Sequence, residues 1–300
     1  MSYAVEMPMS LRPMRLQDIP AGLHLCRLSG WNQVDEDWRA FLESPAGGGW
    51  VVEEAGAVLG TVTFLRYDEA FAWLAMMLVD PACRRSGIGT QLMDAALESL
   101  AGDACVRLDA SRDGEPLYRR FGFVTEFELE RASVVAGPEF PPPLQASDAA
   151  VRPMQEDELP KVFSWDRMVF GAGREALLAS FRRRAPQLAW TAWDGGGLAG
   201  YTFGRPGHLY PQLGPVSATN EAVARDLVAT CLSGQTGRIA ADVPVGKRGW
   251  VEWLRAAGFR TERPFLRMRR GRCTSRPGAG YIRPGLSPER EFAIAGPEFG

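Results

Sequence analysis

The chain has 300 residues, which is enough for about two domains of ordinary size. Its apolar content of 46% and charged content of 23% are typical of a soluble globular protein. The formal net charge of −2 excludes a general binder of nucleic acid or of an anionic membrane surface, because such proteins carry a basic excess.

The cysteines and histidines of the chain bear on disulfides, metal sites and catalytic triads. The five cysteines show no CxxC spacing, so we expect reduced thiols and a cytoplasmic location. The two histidines, His24 and His208, give little support to a zinc site or a Ser-His-Asp triad. No run reaches the roughly 18 apolar residues of a membrane span. The sequence therefore predicts no metal, no nucleic-acid partner and no membrane partner.

The first 80 residues predict alternating helices and strands. A strand at residues 11–15 precedes a helix that begins at Asp18 and ends near Gly30, and a short helix follows around Trp38. Three further apolar stretches are typical of an antiparallel meander, at residues 50–53, 59–66 and 71–79.

A glycine loop follows the last of these strands and opens a helix. Pro81 ends the strand, two arginines and two glycines follow, and apolar residues then recur at helical spacing: Leu92, Met93, Ala96, Leu97 and Leu100. The first N–H groups of a helix lack internal partners and lie at the positive end of its dipole, so the loop predicts an anion site. An ordinary strand-to-helix turn is the alternative. A Walker A loop is excluded because no Lys-Ser/Thr pair follows the glycines, and a dinucleotide fingerprint because its third glycine is Leu92.

A family resemblance arises at these residues and continues downstream. The motif Arg84-x-x-Gly87-x-Gly89 resembles the acyl-CoA pyrophosphate loop of the GNAT superfamily of N-acetyltransferases. After a strand at 105–109, the stretch from Tyr118 to Phe123 is similar to that family's Tyr-x-x-x-Gly-Phe ending. The resemblance covers residues 10–135. It implies an α/β (α+β) fold with a mixed, mostly antiparallel twisted sheet flanked by helices.

The resemblance implies acetyl-CoA as the cosubstrate and assigns its contacts. Its pyrophosphate would be bound by the guanidinium groups of Arg84 and Arg85. It would also accept hydrogen bonds from the backbone N–H groups of the residues that follow, Ser86, Gly87, Ile88, Gly89 and Thr90. The pantetheine arm would pair like an added strand with the backbone of Met77, Leu78 and Val79, where one N–H would also stabilise the oxyanion. Ser111 and Tyr118 complete the expected cofactor contacts.

Two side chains are candidates for proton transfer. Tyr118 would protonate the leaving thiolate, with simple packing under the Gly-Phe turn as the alternative. The strand at 71–77 contains no acid, so the first choice of general base is Asp109 at the end of the next strand, which could equally cap a turn. The reserves for the base are Glu53, Asp68 and Glu69.

The acceptor site is expected beside the first helix. Trp31, Asn32 and Trp38, together with Gln33, would form its lip, although aromatic residues at such positions are more often core. In the second half of the chain, Asp166, Arg167 and Arg174 could face this pocket, with solvated helix charges as the default interpretation.

The chain then begins again. Arg152-Pro153-Met154 repeats Arg12-Pro13-Met14 at an offset of 140, and Trp190 and Gly200 match Trp50 and Gly60 at the same offset. We therefore expect tandem copies of one fold: a catalytic domain at 1–136, a Pro-rich linker at 137–150, a degenerate second domain at 151–270, and a C-terminal tail at 271–300 that packs on a domain.

The second copy lacks the glycine loop. In its place the chain runs from Pro215 to Ala224 without arginine or glycine, and Glu221 would repel a pyrophosphate. We expect that this copy neither binds CoA well nor catalyses. The alternative is a degenerate copy that still holds CoA.

These features predict an N-acetyltransferase that moves an acetyl group from acetyl-CoA to a primary amine of a small molecule or amino acid by direct attack on the thioester. The alternative is a non-catalytic acyl-CoA-binding or interaction protein, favoured by the missing strand carboxylate. A homodimer is left open.

Overall fold

The structure, a computed structural model, describes residues 9–137, 140, 147–272 and 286–300. The chain forms two compact units, unit 1 at residues 1–106 and unit 2 at residues 107–300.

Unit 1 is an antiparallel sheet with helices packed on it. Its elements in chain order are β1 (Ser10–Pro13), α1 (Ile19–Leu28), α2 (Asp35–Leu42), β2 (Gly47–Glu54), β3 (Ala57–Tyr67), β4 (Phe71–Val79) and α3 (Ile88–Ser99). The strands lie in the order β1-β2-β3-β4. Both α1 and α3 contact β4, and residues 71–76 of that strand are all buried, which explains its unbroken apolar sequence.

Unit 2 contains a longer sheet. After β5 (Cys105–Ala110), which crosses the boundary between the units, its elements in chain order are α4 (Glu115–Arg120), β6 (Val124–Ala136), β7 (Ala150–Pro153), α5 (Leu159–Phe170), α6 (Glu175–Arg184), β8 (Trp190–Asp194), β9 (Gly197–Arg205), β10 (Gln212–Ala218), α7 (Glu221–Ser233), β11 (Gly237–Pro244), α8 (Arg248–Ala256), β12 (Arg260–Gly271) and β13 (Glu291–Ala293). The strand order is β5-β12-β6-β11-β10-β9-β8-β7, with β13 paired to β10.

The strand registers confirm the repeat. Pro13 lies opposite Trp50 in unit 1, and Pro153 lies opposite Trp190 in unit 2. Val52 pairs with Gly60, and Ala192 pairs with Gly200. Each residue of the second pair is 140 positions after its counterpart. The predicted mixed, mostly antiparallel sheets flanked by helices are confirmed, with β10 and β11 running parallel.

Strand β6 lies between β11 and β12. It pairs antiparallel with β11 from Ala136↔Gly237 to Leu129↔Pro244, and with β12 from Ser133↔Arg260 to Val124↔Arg269. The sequence places β6 at the end of the first predicted domain, yet both of its neighbours belong to the second. The boundaries at 136 and 151 stay a prediction. Most of the predicted linker and residues 273–285 of the predicted tail lie outside the described residues.

One prediction about the cysteines was wrong. Cys26, Cys83 and Cys231 are free, but Cys105 is disulfide-bonded. A disulfide depends on the distance between two Cα atoms in the folded chain, which spacing along the sequence does not report.

None of the helices in the described ranges has both the length and the apolar character that a membrane span requires. Within the same residues, no group of three or more His, Cys, Asp or Glu side chains is placed to hold a metal ion.

Candidate active site

A β-bulge distorts β4 close to its end. Thr61 pairs with Leu78 and Thr63 pairs with Ala75, so Met76 and Met77 together lie opposite a single residue of β3. Met76 has a φ of +48°, in the left-handed region that non-glycine residues rarely adopt, and its carbonyl accepts a hydrogen bond from Thr61 Oγ1 at 2.8 Å. Such a bulge turns backbone groups away from the regular ladder, and it lies at the predicted pantetheine-pairing stretch Met77–Val79.

The glycine loop between β4 and α3 is braced from within. Asp80 accepts a hydrogen bond from the Ala82 N–H at 2.8 Å, and Ser86 Oγ donates to the Cys83 carbonyl at 2.6 Å. Gly87 then begins α3 with a φ of +90°, a conformation that glycine adopts without a steric penalty. The loop therefore has a defined shape built from short local bonds.

The first turn of α3 is open to a ligand. No side chain in the described part of the chain caps it. A Cβ atom at Gly87 would have no heavy atom within 4 Å, and Arg84, Arg85 and Ser86 are exposed beside it. This site therefore combines an uncapped first turn, the positive end of a helix of 12 residues and two guanidinium groups, a setting suited to phosphate.

Gly60 of β3 brings the end of β4 and the start of α3 together. A Cβ atom there would lie 2.7 Å from Ile88 Cγ2 and 3.0 Å from the Leu78 carbonyl oxygen. Any larger residue would push the helix start away from the strand. Sequence reasoning used Gly60 only as a repeat match. Its counterpart Gly200 is crowded in the same way, 2.7 Å from the Ser217 carbonyl oxygen and 2.9 Å from a methyl group of Leu227.

The predicted base, Asp109, is part of a buried ion pair within unit 2. Arg267 of β12 donates to both of its carboxylate oxygens, each at 2.8 Å, and the two side chains are 0% and 3% exposed. Burial raises the pKa of Asp109 above its ordinary value, and the Arg267 guanidinium opposes that rise. Both carboxylate oxygens of Asp109 therefore accept hydrogen bonds from Arg267, as in a structural ion pair. The role of Asp109 as the general base stays a prediction.

Tyr118 is buried on α4, where its ring packs edge-on against Phe123 at 6.1 Å. A Cβ atom at Gly114 would lie 2.9 Å from the Tyr118 ring, so glycine leaves room for it. Within the described residues its hydroxyl has no hydrogen-bond partner. Burial raises the pKa of the phenol, which keeps its proton in place. Ser111 lies nearby in sequence, and its hydroxyl accepts a bond from the Gly114 N–H at 3.3 Å.

The predicted acceptor lip lies between α1 and α2. Arg27 of α1 fixes this loop by donating to the Trp31 carbonyl at 3.0 Å and to the Gln33 carbonyl at 2.7 Å. Asn32 is buried, and Trp31 is half-buried. Trp38 is 0% exposed because its ring packs against Gly22 of α1, so in this state it is part of the core.

Gln33 carries an unpaired polar atom in the same loop. The residue is 4% exposed, and its side-chain oxygen has no hydrogen-bond partner among the described residues. A buried acceptor without a donor is costly unless a ligand supplies one.

Of the three charged residues named in the second half of the chain, Asp166 and Arg174 are buried and Arg167 is exposed. Asp166 and Arg174 form a buried pair with bonds of 2.9 Å, and Tyr201 donates to Asp166 at 2.5 Å. Arg167 is exposed and pairs with Glu175 at 3.0 Å. Asp166 and Arg174 thus hold α5 and α6 together.

Comparison with protein-family models finds one match in each half of the chain. A model described as "Acetyltransferase (GNAT) family" matches residues 21–123, and one described as "Acetyltransferase (GNAT) domain" matches residues 162–280. The chain belongs to the GNAT acetyltransferases. It is a tandem GNAT protein, with one match in each half of the sequence.

Two relatives extend over most of its length. The uncharacterized N-acetyltransferase YitH of Bacillus subtilis (strain 168) is 22% identical over 237 residues, covering 79% of this chain and 83% of that protein. Holothin acyltransferase of Pseudoalteromonas sp. (strain SANK 73390) is 26% identical over 231 residues, covering 74% and 76%. With both halves of this chain matching acetyltransferase models, the GNAT protein is an acyltransferase.

A solved structure shares the fold of this GNAT protein. The putative acetyltransferase from Pyrococcus horikoshii superposes with a TM-score of 0.76 at 19% identity, covering 97% of this chain and 96% of that one.

Proposed function

We propose that this GNAT protein transfers an acetyl group from acetyl-CoA to a primary amine of a small molecule or an amino acid. One observation carries the proposal: the uncapped first turn of α3, with Gly87 at a φ of +90° and exposed arginines beside it. This arrangement fits a pyrophosphate, because N–H donors, dipole and cations act on the same anion.

The residues that would hold the cosubstrate lie on β4 and the loop after it. Arg84, Arg85 and the N–H groups of 86–90 would bind the pyrophosphate, and the bulged end of β4 at Met77–Val79 would pair with the pantetheine arm. When bound, acetyl-CoA supplies the activated acyl group as a thioester. An N–H of Met77 or Leu78 would donate to the carbonyl oxygen as negative charge develops there.

The proposed proton donor to the leaving sulfur is Tyr118. Burial raises the pKa of the phenol, so the group carries the proton that this role requires at the pH of the reaction. Asp109 stays the first candidate for the base that takes the proton of the amine, and Ser111 stays a proposed cofactor contact.

The acceptor is proposed to enter at the loop of Trp31, Asn32 and Gln33. The unpaired side-chain oxygen of Gln33 is suited to accept a hydrogen bond from an amine N–H. The relative holothin acyltransferase is named for a single acceptor, holothin, which supports a dedicated acceptor here.

A cytoplasmic location stays part of the proposal. The three free thiols support it and the disulfide of Cys105 argues against it. The test is a thiol titration of the unfolded protein, purified with and without a thiol-blocking reagent in the lysate. It decides whether Cys105 is reduced or disulfide-bonded in the cell. Sedimentation of the same sample tests for a homodimer.

The deciding experiment is a thiol-release assay with acetyl-CoA and a panel of amines and amino acids, beside calorimetry of CoA binding. We expect turnover with one class of amine. Tight CoA binding with no thiol release on any acceptor would leave the non-catalytic alternative standing.

A substitution in the loop tests the cosubstrate site. Gly89→Glu places a carboxylate where the pyrophosphate should lie, and we expect CoA affinity to fall about a hundredfold or more, the size of one or two lost charge-assisted hydrogen bonds. Gly102→Glu is the matched control, because Gly102 is exposed with no heavy atom near its Cβ position. Equal affinity in the two variants would refute the loop assignment.

A further inference from the structure

In unit 2, residues 291–295 lie between two parallel strands. β10 and β11 pair at Gln212↔Ala240 and Leu213↔Ala241. Beyond this point β13 takes the place beside β10, with Ala293 opposite Val216 in antiparallel register. On its other side, the Ile294 N–H donates to the Asp242 carbonyl of β11 at 3.0 Å. The segment thus bonds to both strands where they separate.

Side chains of unit 2 hold this segment closely. Trp250 of α8 donates its indole N–H to the Phe292 carbonyl at 2.9 Å, and the Phe292 ring packs edge-on against Trp250 at 5.3 Å. A Cβ atom at Gly214 would lie 2.0 Å from the Ile294 carbonyl oxygen, so β10 and the segment meet at a position that requires glycine. Residues 291–296 are all buried.

The residues that follow are anchored as well. Arg205 forms a buried ion pair with Glu298, and Arg174 donates to the Gly300 carbonyl at 2.6 Å. Phe299 is 0% exposed and packs edge-on against Phe181 at 5.7 Å. These contacts make residues 291–300 part of the core of unit 2.

The groove that this segment fills is the counterpart of the cosubstrate groove proposed in unit 1. Val79 of β4 pairs with Gly60, and Ala218 of β10 pairs with Gly200, 140 residues after Gly60. Both strands carry a bulge just before this point. The end of β10 therefore corresponds to the end of β4, where the pantetheine arm is proposed to pair. A pantetheine arm carries amide groups that bond as a strand does, so a strand of the chain is a fitting substitute.

A second observation points the same way. The connection from β10 to α7 consists of Thr219 and Asn220, with no room for a loop like the one before α3. Asn220 caps α7 with its own side chain, which accepts a bond from the Val223 N–H at 3.0 Å. Glu221 adds a negative charge at the same helix end. The anion site of unit 1 has no equivalent here.

We propose that residues 291–295 permanently occupy, in unit 2, the place that the pantetheine arm takes in unit 1, so that each chain binds one acyl-CoA and unit 2 is a self-filled, non-catalytic copy. The identity of the groove rests on the proposed function. The occupancy of the groove by the segment rests on the contacts of unit 2 alone.

Hydrogen exchange of the full chain tests the occupancy. We expect the Ile294 amide to exchange at least about a thousandfold more slowly than an unstructured amide, as amides of core strands do. Saturating acetyl-CoA should leave that rate unchanged within about twofold. Fast exchange in the free protein, or release of 291–295 on adding acetyl-CoA, would overturn the proposal.

A pair of glycine variants tests the docking site. Gly214→Ala should accelerate exchange at residues 291–295 by about tenfold or more, because its Cβ would collide with the Ile294 carbonyl. Gly246→Ala is the control, since a Cβ there meets no atom within 4 Å. If Gly214→Ala fails to fold, the exchange of the wild-type chain still decides the matter.

Calorimetry separates this inference from the proposed function. One acetyl-CoA per chain, lost completely in Gly89→Glu, supports both. Two per chain, or one retained in Gly89→Glu with loss of Ile294 protection on binding, overturns the self-filled groove. One retained in Gly89→Glu with Ile294 still protected refutes the loop assignment of unit 1 instead. No binding at all, with Ile294 still protected, refutes the proposed cosubstrate while the segment remains a fixed part of unit 2.

Discussion

Tyr118 is buried, and its hydroxyl has no hydrogen-bond partner among the described residues, so the phenol keeps its proton. The pKa of the phenol is raised because water is excluded from the anion, so the group remains an acid across the neutral and alkaline range. No partner among the described residues competes for its proton. The resemblance of the stretch from Tyr118 to Phe123 to the family motif predicted this residue, and its role as proton donor stays a prediction.

Removing the hydroxyl tests that role. Tyr118→Phe should lower kcat about a hundredfold, as loss of a general acid does, while the affinity for CoA changes less than about twofold. Because the pKa of Tyr118 is raised, wild-type kcat should show no fall between pH 8 and 10 from ionisation of this group. A variant with unaltered kcat would leave Tyr118 a packing residue.

Gln33 is the second residue for which burial makes a specific prediction. Gln33→Leu removes the unpaired oxygen, so we expect KM for the amine to rise about tenfold, the size of one net hydrogen bond, with acetyl-CoA affinity unchanged. The free energy of unfolding should not fall, because no internal bond is lost. Gln17→Leu, at an exposed position, is the control. An unchanged KM would remove Gln33 from the acceptor site.

The Asp109–Arg267 pair makes a prediction about stability. Asp109→Leu or Arg267→Met alone leaves a buried charged group without its partner, and we expect a loss of about 3–5 kcal/mol in the free energy of unfolding. The double variant Asp109→Leu with Arg267→Met should recover most of this loss. Denaturant titration of the four proteins measures the coupling; additive losses would contradict it.

The same pair tests the base assignment. Arg267 holds the pKa of Asp109 below the value that burial alone would give. If Asp109 is the base, Arg267→Met should move the acidic limb of the pH–rate profile to higher pH, since a higher pKa delays formation of the carboxylate. A profile that stays in place, measured below the unfolding temperature, would assign Asp109 a structural role only.

At the scale of elements, apolar runs and glycines predicted the most. The unbroken apolar stretch of β4 and the helical spacing after Gly89 placed the strand, the loop and α3 where the structure has them. The bulge at Met76 left no sequence signal, because methionine has no preference for a positive φ. The close packing at Gly60 was also missed, since a glycine that makes room for a helix resembles one in a turn.

In the second copy, β13 covers a backbone edge of β10. The connection from β10 to α7 is too short for a loop like the one proposed to bind the anion in unit 1. An uncovered strand edge is prone to pair with another chain, so filling it from the same chain also guards against aggregation.

At the scale of the whole molecule, strand order limits what can be separated. β6 ends the first predicted domain, but its neighbours on both sides, β11 and β12, come from the second. We therefore expect residues 1–136 expressed alone to lack a cooperative unfolding transition and to bind no CoA, because β6 would lose both partners. A stable fragment that binds CoA would instead support the boundary predicted at 136.

The sequence by itself determined the family, the tandem repeat, the loop of unit 1 and its absence from unit 2. These depend on local patterns: residue spacing within one strand-to-helix connection, and matches at an offset of 140. Such patterns can be read from the sequence because each of them depends on residues that are close together in the chain.

Tertiary structure alone decided the rest. The placement of β6 between β11 and β12, the pairing of Asp109 with Arg267, and the insertion of residues 291–295 beside β10 each join residues far apart in the chain. Strand pairing through backbone bonds and the burial of an ion pair depend on which surfaces meet after folding. Residue spacing along a single sequence does not show which surfaces come into contact after folding. For this reason only the folded chain shows the partner of Asp109 and the segment that fills the second groove.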